Sequence, residues 1–123
     1  MTMCRGIRGA TIAEENTAES IQGATRELLA ALIEANQITE RDVAAVYFTT
    51  TPDLNAGFPA TAARQAGWNN TALMGAMEVA VPGSLLRCIR VLILINTEKE
   101  PQDLVNFYLK GTEVLRLQGV EST

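Results

Sequence analysis

Cys88-Ile89-Arg90-Val91-Leu92-Ile93-Leu94-Ile95 decides the fold, because its length and its β-branched residues are typical of a buried strand. Arg90 interrupts this apolar run. A second arginine, Arg8, lies in Cys4-Arg5-Gly6-Ile7-Arg8-Gly9-Ala10-Thr11, which also has the character of a strand. Arginine keeps its charge in proteins, and burying it without an anion is expensive. The chain must therefore pair these arginines internally or present them to a cleft that receives an anionic ligand.

The composition is that of an ordinary soluble protein, and 123 residues predict a single domain over 1–123. Hydrophobic residues make up 47% of the chain and charged residues 20%. The net charge is −4 and there is no basic stripe, so nucleic acid and anionic membranes are poor partners. The longest apolar run, 91–95, is far shorter than the roughly 20 residues that span a bilayer.

The absence of histidine removes several kinds of chemistry. A Ser-His or Cys-His nucleophile, a histidine base and a histidine-ligated metal are all excluded. The two cysteines, Cys4 and Cys88, lack metal-type spacing, and the N-terminus lacks a signal-peptide pattern. We therefore expect no metal and a cytoplasmic protein with reduced thiols.

Strands and helices alternate in a mixed order, which predicts an α+β fold with helices on one face of a mixed sheet. The other face could be closed by a symmetric neighbour. The predicted strands cover 4–11, 44–50, 71–77, 87–97 and 112–117. The predicted helices run from Thr17 to Asn36, from Pro59 to Gly67, and from Pro101 through Tyr108, with a mobile tail from about 118.

Several polar residues could join the two strand arginines in a site. Tyr108 and Arg116 lie near the ends of other elements, although a tyrosine on an apolar face is often simple packing. Glu78 follows the third strand and is either a surface charge or, near arginines, an ionised hydrogen-bond acceptor. Arg64 could add positive charge or could be a solvated helix residue. Guanidinium groups bind carboxylates in a bidentate manner, so a site of this composition favours a carboxylate ligand.

Two further residues have simple structural interpretations. Cys88 lies two residues before Arg90, hence on the same strand face, and is best interpreted as a small buried hydrophobic residue. Phe58, which precedes Pro59, could cover a ligand or could only pack.

Short segments along nearly the whole chain are each weak signals but form a specific ordered set. They are Arg5-Gly-Ile-Arg-Gly-Ala-Thr11, Thr51-Pro-Asp-Leu-Asn-Ala-Gly-Phe-Pro-Ala60, Ala63-Arg64, Gly67-Trp68, Pro82-Gly-Ser-Leu85, Cys88-Ile-Arg-Val91, Asn96-Thr97, Tyr108-Leu109 and Val114-Leu-Arg116. In this order the segments resemble the monofunctional chorismate mutases of the AroH class.

The resemblance implies a homotrimer in which the sheets of the subunits together form a pseudo-α/β-barrel. The active sites would lie in the clefts between neighbouring subunits. It also implies the Claisen rearrangement of chorismate to prephenate in the biosynthesis of phenylalanine and tyrosine. No cofactor, metal or covalent intermediate is implied.

By family position, Arg90 would hydrogen-bond the ether oxygen and one carboxylate of chorismate. Arg8 and Tyr108 would hold a carboxylate, and Glu78 would accept from the ring hydroxyl. The resemblance also implies that Phe58, Ala60, Leu73 and Met74 shape the pocket. Phe58, Ala60 and Arg64 would reach in from the adjacent subunit. Leu115 and Arg116 would close the pocket from the C-terminal side.

Two positions depart from the family pattern. Gly75 stands where a cysteine is usual beside the substrate hydroxyl, and Thr61 stands where a rim lysine is frequent. We expect weaker substrate binding from both, with activity retained. Two other functions stay open at this point: a non-catalytic trimer that binds a small carboxylate, and an imine deaminase of the reactive-intermediate type with a similar trimeric architecture.

Overall fold

A computed structural model describes residues 1–117, with only the backbone of Arg116 and Leu117. The strands are β1 (Met3–Ile12), β2 (Val43–Thr50), β3 (Leu73–Met77), β4 (Cys88–Thr97) and β5 (Phe107–Tyr108). The helices are α1 (Ala18–Asn36), α2 (Ala60–Gln65) and α3 (Val114–Leu117), and short 3-10 turns cover Glu40–Asp42 and Pro101–Asp103.

The strands form one mixed sheet in the order β3-β2-β4-β1-β5. The central strand β4 runs antiparallel to both β1 and β2, while β3 and β5 lie parallel to their neighbours at the two edges. The first four strands lie where the sequence predicts them. The expectation of an α+β fold with a mixed sheet is therefore confirmed.

Helix α1 begins and ends through local hydrogen bonds. The Thr17 hydroxyl accepts a hydrogen bond from the backbone N–H of Ser20 at 3.1 Å, which satisfies one of the free donors of the first turn. After Asn36, Gln37 adopts a left-handed conformation with φ 54° and closes the helix. The predicted span of α1 is confirmed at both ends.

The main core lies between the sheet and helices α1 and α2, which cover the same face. Leu28, Leu29 and Leu32 of α1 and Ala63 of α2 pack against alternate residues of the strands. The helix approaches β1 most closely at Gly9. A methyl group there would lie 2.9 Å and 3.0 Å from the Leu32 and Leu28 side chains, so only glycine fits without movement.

The other face of the sheet, here called the open face, is not covered by α1 or α2; of the described helices only α3 packs on it, where Leu115 contacts Ala10 and Cys88. In β4, Ile89, Val91 and Ile93 are buried in the core, while Arg90 and Leu92 project from the open face. This alternation confirms the predicted strand, and it places Arg90 on the face opposite the core.

The helix predicted from Pro101 through Tyr108 was wrong. Only a 3-10 turn forms there, and Phe107–Tyr108 instead adds to β1 as a parallel strand. The side-chain oxygen Oδ1 of Asn106 accepts a hydrogen bond from the Arg8 backbone N–H at 2.8 Å, and the Ala10 carbonyl accepts one from the Leu109 backbone N–H at 2.9 Å. Pairing with the free edge of β1 satisfies backbone groups of both segments, and this outweighs the local helical pattern.

The strand predicted for 112–117 was also wrong, because the chain turns and forms the short helix α3. Lys110 and Gly111 have φ values of 55° and 84°, which reverse the chain direction after β5. The Thr112 hydroxyl then donates to the Leu109 carbonyl at 2.8 Å and caps the turn. The predicted mobile tail from about 118 lies outside the described residues.

Within residues 1–117, no helix is both long enough and apolar enough to cross a membrane.

Candidate functional site

The strand register aligns three site residues, Thr49, Arg90 and Tyr108, in one row across the open face. Thr49 of β2 pairs with Arg90 of β4, Arg90 pairs with Ala10 of β1, and Ala10 pairs with Tyr108 of β5. Arg8 lies two residues before Ala10 on β1, opposite Leu92. Residues that pair directly project from the same face, so the sheet itself brings Arg8, Arg90 and Tyr108 together.

Arg90 forms an ion pair with Glu78. Arg90 Nη1 lies 3.0 Å from Glu78 Oε1, and the two side chains are only 19% and 20% exposed. The hydroxyl of Thr49 donates to the second carboxylate oxygen, Oε2. Each oxygen of Glu78 therefore has a donor, and charge-assisted bonds of this kind fix both groups firmly.

These side chains line a cavity of about 240 Å³, here called the arginine cavity. Its lining includes the charged residues Arg8, Glu78 and Arg90 together with Tyr47, Thr49 and Leu92. The two guanidinium groups and one carboxylate give the cavity a net positive charge. The site therefore suits an anionic ligand, with Glu78 able to accept a hydrogen bond from a ligand hydroxyl.

Tyr108 borders this region beside a small apolar cluster. It packs on buried Ala10, Cys88 and Leu115. Cys88 is 2% exposed, which confirms the interpretation of a small buried residue. Ala10 separates Arg90 from Tyr108 in their shared row, and its methyl group is fully buried.

A second cavity of about 450 Å³, here called the loop cavity, lies between the 51–59 segment and β3. Phe58, Gly75 and Phe48 are among the residues that line it. Phe48 pairs with Gly75 in the row that faces the core, whereas the neighbouring Thr49 belongs to the open face. The two cavities therefore lie on opposite faces of this part of the sheet. Within one chain, Phe58 and Arg90 line different cavities.

The other predicted site residues are dispersed. Ala60 and Leu73 are partly buried against the main core. Met74 is 61% exposed on the open face next to Tyr47, and Arg64 is exposed in the last turn of α2. The side chain of Arg116 lies outside the described residues.

Asp53 secures the loop that precedes β4. Burial raises the pKa of this carboxyl, but hydrogen bonds from Thr51 and the Arg87 backbone, with the Arg87 charge, hold the pKa below its ordinary value. The Arg87 N–H donates to Asp53 at 2.8 Å, and Arg87 has a left-handed φ of 51°. This contact fixes the point at which the chain enters the strand that carries Arg90.

Sequence reasoning missed Tyr47, Thr49 and Leu92 as residues of the arginine cavity. The period-2 pattern of 44–50 places Tyr47 and Thr49 on one face, which is the available signal. The register that pairs Thr49 with Arg90 cannot be read from the pattern, because it depends on how two distant segments align.

The arginine cavity on the mixed sheet is suited to a small anion, and comparison with known proteins makes the class of protein specific. Residues 4–118 match the family model described as chorismate mutase type I. The chain belongs to this chorismate mutase family.

Individual relatives agree over almost the full chain. The chorismate mutase AroH of Thermus thermophilus is 54% identical over 118 residues, which is 94% of each chain. The chorismate mutase AroH of Bacillus subtilis is 40% identical over 115 residues, covering 93% of this chain and 91% of the relative. A solved chorismate mutase from Clostridium thermocellum superposes with a TM-score of 0.88 at 48% identity, covering 90% of this chain and 99% of that one. The expected resemblance is confirmed, and the family selects the first of the three functions that the sequence left open.

Proposed function

We propose that this chorismate mutase, an isomerase, converts chorismate to prephenate by electrostatic stabilisation in the arginine cavity. In this Claisen rearrangement one C–O ether bond breaks and one C–C bond forms within the same molecule. No atom is gained or lost and no proton must be transferred. A chain without histidine can therefore supply what the reaction needs, which is a held conformer and donors for developing charge.

The observation that carries the proposal is the Arg90–Glu78 pair at 3.0 Å beside Arg8. Arg90 donates to the ether oxygen, which gathers negative charge as its bond to carbon breaks. Since Glu78 already orients the guanidinium, little reorganisation is needed during the reaction. Glu78 accepts from the ring hydroxyl, and Arg8 and Tyr108 hold a carboxylate.

The site is completed by a second copy of the chain in a homotrimer. The arginine cavity, at about 240 Å³, is smaller than the roughly 300–1,000 Å³ of complete small-ligand pockets. Phe58 is 77% exposed, and it lies with Gly75 beside the loop cavity on the opposite face of the sheet. A neighbouring subunit that presents Phe58, Ala60 and Arg64 to the arginine cavity would enclose the substrate.

The open face also supports the trimer, because it leaves apolar side chains in water. Leu92, Tyr47 and Met74 form one row across three strands and are 36%, 39% and 61% exposed. The edge strand β3 is exposed at four of its five residues. Contiguous apolar surface and a free strand edge are typical of faces that associate with another subunit.

Leu73, Met74 and Leu115 shape the pocket, and Arg116 closes it from the C-terminal side. Gly75 and Thr61 weaken substrate binding relative to the cysteine and lysine that are usual at these positions, but the enzyme keeps its activity. The enzyme acts in the cytoplasm in aromatic amino acid biosynthesis, and its two cysteines, Cys4 and Cys88, are not joined in a disulfide, which fits a reducing compartment.

The test is the loss of chorismate absorbance on adding purified protein, with prephenate identified by acid conversion to phenylpyruvate. We expect catalysed loss and far tighter binding of a bicyclic transition-state analogue than of prephenate. A folded protein that binds both compounds equally and does not accelerate the loss would contradict the proposal and favour a carboxylate-binding protein.

A further inference from the structure

We propose that Thr49 is a positioning residue that fixes the carboxylate of Glu78 and, through it, the guanidinium of Arg90. The inference deepens the proposed function and rests on the roles given there to Glu78 and Arg90.

Strand β2 holds Glu78 at two points. The Thr49 hydroxyl donates to Oε2 of the carboxylate, and the Thr50 carbonyl accepts from the Glu78 backbone N–H at 2.8 Å. The two contacts come from successive residues of one strand. They therefore set both the main-chain position of Glu78 and the rotation of its side chain.

These two contacts are needed because Glu78 lies just beyond the end of strand β3. It follows the last residue of β3, and the next residue, Val79, is 81% exposed in the loop that leads to β4. A glutamate side chain loses considerable rotational freedom when it is held in one conformation. Threonine is a stiff donor because its β-branched side chain has few rotamers, so its hydroxyl keeps a fixed place on the sheet.

The strand register explains how Thr49 acts on Arg90 through Glu78. Thr49 and Arg90 are direct partners in the β2–β4 pairing, and Glu78 bridges the two side chains with one oxygen each. The neutral donor orients the carboxylate while Oε1 stays available to Arg90. Without the hydroxyl, Glu78 could rotate and carry Arg90 away from the position that the ether oxygen requires.

The experiment compares Thr49→Val, Thr49→Ser and the control Thr39→Val, each in the wild-type and Glu78→Ala backgrounds. Valine keeps the shape of threonine and removes the donor, whereas serine keeps the donor. Thr39 also donates to a carboxylate, that of Asp42 at 2.9 Å, but lies on the surface outside the arginine cavity. The readouts are kcat and KM for chorismate, affinity for the bicyclic analogue, and Tm.

We expect Thr49→Val to lower kcat/KM and analogue affinity by roughly ten- to a hundredfold, the loss of one hydrogen bond to a charged group. Thr49→Ser should recover most of this loss, and Thr39→Val should have no effect. In the Glu78→Ala background Thr49→Val should cause no further loss, because its effect passes through Glu78.

Three results would overturn the inference, and they differ from one another. A full penalty in the Glu78→Ala background would mean that Thr49 contacts the substrate itself. Normal turnover in Thr49→Val with impaired turnover in Glu78→Ala would refute the role of Thr49 while leaving the proposed function intact. Normal turnover in Glu78→Ala would refute the role of Glu78 in the proposed function and the inference together.

Discussion

Replacing Arg90 by alanine removes the donor on which the proposed mechanism depends most. Loss of one preorganised donor to developing negative charge typically costs about 10²–10³ in rate. Arg90→Ala should therefore lower kcat by at least about a hundredfold. Arg90→Lys keeps the charge and loses the planar fork, so it should restore only part of the activity.

The same substitution also has a calculable effect on stability, because it leaves Glu78 without its cation. At 3.0 Å and an effective dielectric constant of about 20, the Coulomb attraction of the pair is roughly 5 kcal/mol. Desolvation cancels most of this, and both side chains are about one-fifth exposed. We expect a loss of about 1–2 kcal/mol in the free energy of unfolding, so the variant should still fold.

The assay combines steady-state kinetics with urea unfolding and sedimentation. Arg41→Ala is the matched control, because Arg41 is exposed in the Glu40–Asp42 turn and lies outside both cavities. It should match the wild type in every measurement. A folded Arg90→Ala protein with turnover within tenfold of the wild type would refute the electrostatic role of Arg90.

Three other predictions concern the packing at Gly9 and Gly23, the carboxyl of Asp53, and the substitution at Gly75. Gly9→Ala should destabilise the protein by about 1–3 kcal/mol because the new methyl meets α1, whereas Gly23→Ala, whose methyl has no neighbour within 4 Å among residues 1–117, should stabilise it by about 0.5–1 kcal/mol; urea unfolding that ranks the two variants otherwise would contradict the role of packing. Asp53 has a lowered pKa in the folded state, so its stabilisation is present above the unfolded pKa near 3.8 and is lost as the pH falls through the lower folded value. Asp53→Asn should therefore flatten this acid-induced loss of stability in a Tm series against pH, and an unchanged profile would count against it. Gly75→Cys should lower KM for chorismate because it restores the cysteine usual at this position, and it fits because the new Cβ meets only Phe48, at 3.8 Å, among the described residues; an unchanged or raised KM would reject this role of position 75.

The elements that the sequence predicted correctly are those whose signals are local. The Thr17 cap and the apolar spacing that follows it defined α1 to the residue. The apolar run around Arg90 defined β4, because its alternate residues are buried on one side. A charged residue in such a strand had to find a partner or a cleft, and the structure gives it both.

The elements that the sequence predicted wrongly depend on distant partners. Leu104, Phe107 and Tyr108 follow Pro101 at helical spacing, yet the free edge of β1 pairs with Phe107–Tyr108. Residues around Thr112 could equally extend or turn, and the turn that forms lets the Thr112 hydroxyl donate to the distant Ala10 carbonyl of β1 at 3.3 Å. Tertiary hydrogen bonding overrides local preference in both places.

The same limit applies to the site. That Arg8 and Glu78 approach Arg90 follows from strand register and from the return of the chain after β3, neither of which the residue pattern alone contains. Family resemblance pointed to Arg8, Glu78, Arg90 and Tyr108 as a set. Thr49 was recognised only from the geometry, because a threonine in a strand is an ordinary β-forming residue.

The most direct test of the account is activity in mixed oligomers of two defective variants, Arg90→Ala and Arg64→Ala. If Arg90 and Arg64 reach each site from different subunits, random assembly of equal amounts should restore about a quarter of the wild-type sites. A mixture of Arg90→Ala with Arg8→Ala should restore none, because both residues line the arginine cavity of one chain. A site shared between subunits predicts recovery in the first mixture alone. Failure of the first mixture to exceed the activity of its components, in oligomers shown to exchange subunits, would contradict a site shared between copies.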